Sequence, residues 1–194
     1  QFKYDADTGS LTVAMATFSE VAVVFDTDNV WSGSYDADTE FGGSGTEADP
    51  YLVSNGEQLA FAVSGAAGSG KYYKLVDNIK LNDTTKENWK STAKVWPWNG
   101  NIRFKGTFDG DGHTIDGLYL GNGNVQPNNG LFAYVEDSVI KNIIFTNAYV
   151  NSTATHGIAI VTGFPVTKTS FSKIYIEETC EIYAPNAKGV AGLA

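Results

Sequence analysis

Residues 129–145 read Asn129-Gly-Leu-Phe-Ala-Tyr-Val-Glu-Asp-Ser-Val-Ile-Lys-Asn-Ile-Ile-Phe145, and the rest of the chain repeats parts of this stretch. Gly130-Leu131-Phe132 returns as Gly157-Ile158-Ala159 and again as Gly189-Val190-Ala191, at offsets of 27 and 32 residues. Ile140-x-x-Ile143-x-Phe145 returns as Phe171-x-x-Ile174-x-Ile176, at an offset of 31. Spacings of this size mark stacked repeats, each a small unit that buries its apolar side only against its neighbours. Every period carries apolar runs of three to six residues with no helical pattern between them, so crossover helices do not fit and a β-solenoid does.

Working back toward the N-terminus, the same texture begins near Tyr72. Tyr73-Lys-Leu75, Ile79-Lys-Leu81, Phe104-Lys-Gly-Thr-Phe108, Thr114-Ile115 and Leu118-Tyr119-Leu120 are short strands. Asp109-Gly-Asp-Gly112 and Asp116-Gly117 separate them with residues that turn the chain cheaply. A polar insertion over 82–95 interrupts the first of these coils. Before it, Leu59, Ala60, Ala62 and Val63 follow helical spacing, with Ser54 or Asn55 placed to cap, Glu57 in the first turn and Gly65 to stop. A helix over 55–65 is predicted as the one real helix of the chain. Residues 32–50, rich in Gly, Asp and Ser, read as a linker, and residues 1–31 as a β-hairpin and strand left from a preceding domain.

Composition narrows the function. The 194-residue chain is 42% hydrophobic and 13% aromatic, enough for a packed core. Its net charge is −9 with one arginine, Arg103, and scattered lysines, so nucleic acid is not an expected partner. The single Cys180 excludes an internal disulfide framework and a multi-cysteine metal site. No apolar run reaches the ~20 residues of a spanning helix, so membrane insertion is not expected for this stretch. A start at Gln1 and an end at Gly192-Leu-Ala194 lead us to expect an excised piece, cut at its C-terminal side in mid-coil.

Three blocks carry a resemblance. Gly45-Thr-Glu-Ala-Asp-Pro-Tyr-Leu-Val-Ser-Asn-Gly-Glu-Gln-Leu-Ala60, Phe104-Lys-Gly-Thr-Phe-Asp-Gly-Asp-Gly-His-Thr-Ile-Asp-Gly-Leu-Tyr119, and Asn129–Val135 with Ile140-Lys-Asn-Ile143 together resemble the GLUG-motif β-helix modules of large secreted or wall-anchored bacterial proteins. The resemblance implies an all-β fold: a right-handed parallel β-helix over 51–194 with an N-terminal capping helix, preceded by the small hairpin element. It also implies an extracellular, cell-surface or cell-wall setting in an adhesin-like parent, with host or cell-wall glycan or protein as partner. The chain departs from the pattern at Gly157-Ile-Ala-Ile-Val-Thr-Gly163, where paired glycines usually open a coil.

Several side-chain groups point toward chemistry. Gly65-Ala-Ala-Gly-Ser-Gly-Lys71 has the letters of a phosphate loop, but the helix precedes it and the strand follows, the reverse of what that loop requires. It reads as a connection. Asp109, Asp111 and Asp116 place three carboxylates within eight residues around His113, a set that can offer oxygens to Ca²⁺ or simply make a turn. No obligatory cofactor is expected. Trp89, Trp96, Trp98, Tyr72 and Tyr73 cluster in and beside the insertion, as a platform for sugar rings or as packing beside the helix. Polysaccharide-cleaving β-helices need paired carboxylates or a calcium cluster with a basic residue, and the coils show no recurring Asp or Glu. A non-catalytic structural or adhesive module is therefore expected, with a carbohydrate-binding module and a truncated lyase or hydrolase as the alternatives.

Overall fold

The computed structural model describes residues 2–5, 10–13, 21–24, 29–97, 103–121, 128–188 and 190–193, the first three stretches as backbone. β1 (Phe2–Asp5), β2 (Ser10–Val13) and β3 (Val21–Val24) form an antiparallel meander in the order β1-β2-β3. The strands that follow are all joined by parallel pairing and stack as a β-solenoid of about four turns, the expected all-β class.

β4 (Tyr51–Val53) leads into α1 (Gly56–Val63), and β5 (Lys71–Leu75) and β6 (Ile79–Lys80) open the first full coil. That coil carries α2 (Trp89–Thr92) and ends in β7 (Arg103–Phe104). The second holds β8 (Gly106–Asp109), β9 (Thr114–Asp116), β10 (Tyr119–Leu120) and β11 (Phe132–Val135). The third holds β12 (Val139–Thr146), β13 (Tyr149–Asn151), β14 (Ile158–Ala159) and β15 (Thr162–Pro165). The fourth holds β16 (Ser170–Ile176), β17 (Glu181–Tyr183) and β18 (Val190–Ala191).

Register makes the core. Tyr51, Tyr73, Phe108, Ile140 and Phe171 are successive partners and form one inward row. Ile79, Ile115, Phe145 and Ile176 form a second, and Leu120, Val150 and Ile182 a third. Tyr73, Phe108, Ile140, Ile115, Phe145 and Val150 are at most 1% exposed. Like side chains thus lie above one another at the ~4.8 Å strand spacing, and rings continue the stacking between coils: Tyr73 lies 6.3 Å from Phe108, and Phe104 5.0 Å from Phe132.

The corners repeat as faithfully as the strands. Asp111, Asn142 and Lys173 all hold left-handed φ values, 50°, 57° and 52°, one above another at offsets of 31. Asp137 and Lys168 do the same at the next corner. Asn and Asp tolerate this conformation better than other non-glycine residues. The 31-residue spacing of Ile140, Ile143 and Phe145 against Phe171, Ile174 and Ile176 matches the pairing residue for residue. The 32-residue offset at Ile158 and Ala159 also holds, to Val190 and Ala191, while Gly189 lies outside the described residues. The 27-residue offset does not. Phe132 pairs with Thr162, thirty residues on, and Asn129 bridges Ile158. Glycine explains the shift. A Cβ on Gly163 would fall on the backbone of Asn128, as would one on Gly157, but one on Gly130 would come within 2.7 Å of Thr162 Cα and 2.9 Å of Gly163 N, so Gly163 is the glycine that lies against Gly130.

The helix forms for the expected reasons: Asn55 Oδ1 accepts from the Gln58 N–H at 2.9 Å, and Leu59, Ala60 and Ala62 turn inward. It is not the sole helix, because the polar insertion adds the single turn α2, with Trp89 buried beneath it. The Gly/Asp-rich stretch over 32–50 is tied down in the structure. Phe41 stacks on Phe61 at 5.7 Å and on Tyr51 at 4.9 Å, Tyr35 lies 5.8 Å from Phe61, and Gly42 accepts from the Leu52 N–H at the outer edge of β4. Trp31, just ahead of it, is buried. Among the described residues no helix is long and apolar enough to cross a membrane.

Candidate functional site

Where inner rows make the core, outer rows make a surface. Strand alternation sends Leu52, Lys74, Asp109, Lys141 and Ser172 to the outside as successive partners across five strands. Tyr72, Thr107, Val139 and Ser170 form the parallel row beside them. Glu47 and Pro50, from the tied-down stretch, rise at one end. The result is a trough of about 730 Å³ running along the solenoid axis across β4, β5, β8 and β12. Its floor mixes the half-buried Tyr72 ring and the exposed Leu52 and Val139 with alternating Lys, Asp and Lys.

Both lysines in the trough are paired. Lys74 Nζ lies 2.9 Å from Asp111 Oδ2, and Lys141 Nζ lies 3.0 Å from Asp109 Oδ2. Asp109 Oδ1 accepts from Asn142 Nδ2 at 2.8 Å and from the Asp111 N–H at 2.9 Å. Burial works to raise the Asp109 carboxyl, but the hydrogen bonds from Asn142, the Asp111 N–H and Lys141 outweigh it and hold it below the usual carboxylate range. The Asp111 carboxylate in turn holds Lys74 above its ordinary value through their hydrogen bond.

The wiring separates Asp109, Asp111 and Asp116, the three carboxylates of the calcium reading. Asp116 sits one strand beyond the other two, with Oδ1 accepting from Thr146 Oγ1 and Asn147 Nδ2, both at 2.7 Å, and Oδ2 from Thr84 Oγ1 at 2.8 Å. The three carboxylates point at separate partners on neighbouring coils, and among the described residues no three His, Cys, Asp or Glu side chains are grouped to hold a metal ion. They are inter-coil cross-links.

The fold divides the residues of the aromatic platform between core and surface. Trp96 is 3% exposed, packs 5.1 Å from Trp31 and donates from Nε1 to the Leu131 carbonyl at 3.1 Å. Tyr73 is 1% exposed, and burial, with the nearby Tyr51 adding to it, pushes its phenol up to about 12. Trp89 is buried edge-on against Tyr119 at 6.3 Å. These faces are spent on packing and cannot stack on a sugar. Trp98 lies outside the described residues. Of the five aromatics, Tyr72 opens onto the trough. Lys74, Lys141, Thr107, Leu52 and Val139 were not singled out from the sequence, although the offsets 74→109→141→172 follow the coil period and would have found them once the register was known.

His113 and His156 stand on different coils, and His156 Nδ1 bonds its neighbour Thr155 Oγ1 at 3.0 Å. Cys180 is half-buried, and desolvation raises its thiol, which favours the unreactive protonated form.

Comparison with known proteins is sparse. No family model matches the chain, and no solved structure matches it. It is 30% identical over 124 residues to a "Putative Gly-rich membrane protein" of Evansella cellulosilytica, a match covering 61% of this chain and 13% of that protein. It is 27% identical over 122 residues to "Halomucin" of Haloquadratum walsbyi, covering 62% of this chain and 1% of that protein. The chain therefore spans a small part of the length of each relative.

Proposed function

We propose that this chain is a non-catalytic structural module of a prokaryotic cell-surface protein, a stacked segment that carries and spaces other parts of a longer polypeptide. The observation behind this reading is the unbroken in-register row from Tyr51 to Phe171, which joins every coil to the next by backbone hydrogen bonds and packed rings. Such a stack resists bending, because each coil is bonded to its neighbours through more than one parallel sheet. Helix α1 and the stretch over 31–45 would serve as the closing layer at one end: Tyr35 and Phe41 pack on Phe61 of the helix, and Gly42 engages the outer edge of β4, whose unpaired groups would otherwise invite other strands. The names of the two relatives, a membrane protein and a halomucin, and their far greater length support a place inside a long surface chain. Asp109 and Asp116, two carboxylates on the coil strands, are engaged in cross-links between coils, which fits a structural use of these side chains.

Antibodies raised against the purified protein should label intact cells of the organism that encodes it, and external protease should remove the label. Labelling that requires permeabilised cells would overturn the surface reading. Release of unsaturated or reducing ends from polygalacturonate, with or without added calcium, would overturn the non-catalytic one.

A further inference from the structure

We propose that the outer trough across β4, β5, β8 and β12 binds a neutral oligosaccharide lying along the solenoid axis, with the Tyr72 ring as its stacking face. The surface-module reading neither requires this nor depends on it, since a spacer can be bare. Three observations converge on this ligand.

The first is shape. The trough holds about 730 Å³, a size that suits an extended small ligand, and it runs across strands. From Leu52 to Lys141 is three strand steps, roughly 14 Å at the ~4.8 Å spacing of paired strands. A chain of a few sugar rings fits along it and meets a new coil at each step.

The second is the composition of the floor. Sugar rings present an apolar face and a rim of hydroxyls that both donate and accept. Tyr72, Leu52 and Val139 supply apolar surface, and the Tyr72 ring is rigid and half-open. Lys74 and Lys141 donate, Asp109 accepts and Thr107 does both. The coil spacing alternates donors and acceptors along the axis, so successive hydroxyls find partners in turn.

The third is charge. Lys74 is bonded to Asp111 and Lys141 to Asp109, so neither cation is left over for an anionic ligand, and the chain as a whole carries −9. A uronic-acid polymer would have to break these pairs and approach an acidic protein. An uncharged glycan uses the remaining hydrogen-bonding capacity of the same groups and leaves the pairs in place.

The test is titration of the whole chain, isotopically labelled and followed by NMR, with cellohexaose, xylohexaose and mannohexaose as neutral probes and hexagalacturonate as the acidic one. At least one neutral probe should bind saturably, with the shifts concentrated on residues 72–74, 107–109 and 139–141. Tyr72→Ala should weaken that binding about ten-fold, the effect expected of losing one well-placed aromatic face. Tyr72→Trp should keep it, and Val139→Arg, which fills the trough from an exposed position, should abolish it without changing the fold. Phe164→Ala, on an exposed ring outside the trough, should have no effect. The proposal is overturned if none of the neutral probes binds, if hexagalacturonate binds more tightly than all of them, or if binding survives both Tyr72→Ala and Val139→Arg. Any of these results leaves the spacer reading standing, because cell-surface labelling tests that separately.

Discussion

Truncating Phe108 to alanine should remove a large part of the stability of this solenoid. Phe108 is completely buried, paired in the inner row between Tyr73 and Ile140, and surrounded by rings. Tyr73 lies 6.3 Å away, Phe104 6.4 Å and Phe132 5.5 Å, the last two edge-on. Phe→Ala in a packed core costs about 3–5 kcal/mol, the higher end where the site cannot collapse. Collapse is blocked here, since β8 is hydrogen-bonded to β5 on one side and to β12 on the other, and neither coil can move inward without breaking pairs. That range already contains the loss of ring pairs, each worth about 0.5–1.5 kcal/mol beyond its buried area, and three pairs place Phe108 at its upper end. We expect about 4–5 kcal/mol, against a total of about 5–15 kcal/mol for ordinary domains. Phe108→Leu keeps most of the volume and should cost about 1–1.5 kcal/mol. Guanidinium unfolding followed by tryptophan fluorescence reads both, since Trp31 and Trp96 are buried in the same core. A loss below about 1 kcal/mol for Phe108→Ala, or equal losses for alanine and leucine, would show that Phe108 is not enclosed between coils and would refute the stacking argument.

Tyr73→Phe should leave stability unchanged or raise it by up to about 1 kcal/mol, because the buried Tyr73 hydroxyl has no hydrogen-bond partner among the described residues; a loss above 1 kcal/mol in thermal unfolding would contradict this. Gly163→Ala should destabilise by more than about 2 kcal/mol, since its Cβ would land on the Asn128 backbone, whereas Gly112→Ala, with open space around it, should cost only the strain of its left-handed φ; similar melting temperatures would argue against the close coil crossing. Asp109 binds its proton more weakly folded than unfolded, so its contribution is complete above about pH 4 and is lost as the pH falls through the lower folded value. Urea midpoints of the wild type should therefore drop below about pH 4, and Asp109→Asn should flatten that drop; parallel pH profiles would count against the carboxylate cross-link.

The parts of this fold that were legible in the sequence are those dictated by local chemistry. The helix could be read because Asn55, Glu57 and Gly65 punctuate an apolar face. The 31-residue repeat could be read because Ile140, Ile143 and Phe145 lie on both sides of an Asn corner, and their counterparts keep that spacing around Lys173. The 27-residue match failed where glycine was treated as a marker of one position in the coil. Gly157 is a left-handed corner at φ 68°, stacked on the Asn128 corner at 63°, whereas Gly163 is not left-handed and lies against Gly130, so two glycines six residues apart, both close to the Asn128 backbone, hold different places in the coil.

The site was less legible for a different reason. In a strand as short as the five residues of β5, alternation shows that Tyr72 and Tyr73 face opposite ways but not which one faces in. Only the partner rows decide: Tyr73 stands over Phe108 and Ile140, while Tyr72 stands over Thr107 and Val139. The indole of Trp96 gave no hint of its burial, because its partners, Trp31 and the Leu131 carbonyl, lie 65 residues before it and 35 after. The Lys-Asp-Lys ladder likewise joins three coils and has no local signature.

The register itself can be tested most directly in solution. In a Cys180→Ser background, Lys141→Cys with Ser172→Cys places two outward thiols on directly paired residues, with Cα atoms at about the 4.8 Å strand spacing. Lys141→Cys with Lys168→Cys instead samples the 27-residue offset, four residues from the true partner. Dibromobimane, a short cross-linker that fluoresces strongly once both arms have reacted, should bridge the 141–172 pair within one chain and leave the 141–168 pair unbridged. Equal reaction of the two pairs, or bridging of 141–168 alone, would contradict the stacked coil register from which the core rows, the corners and the trough all follow.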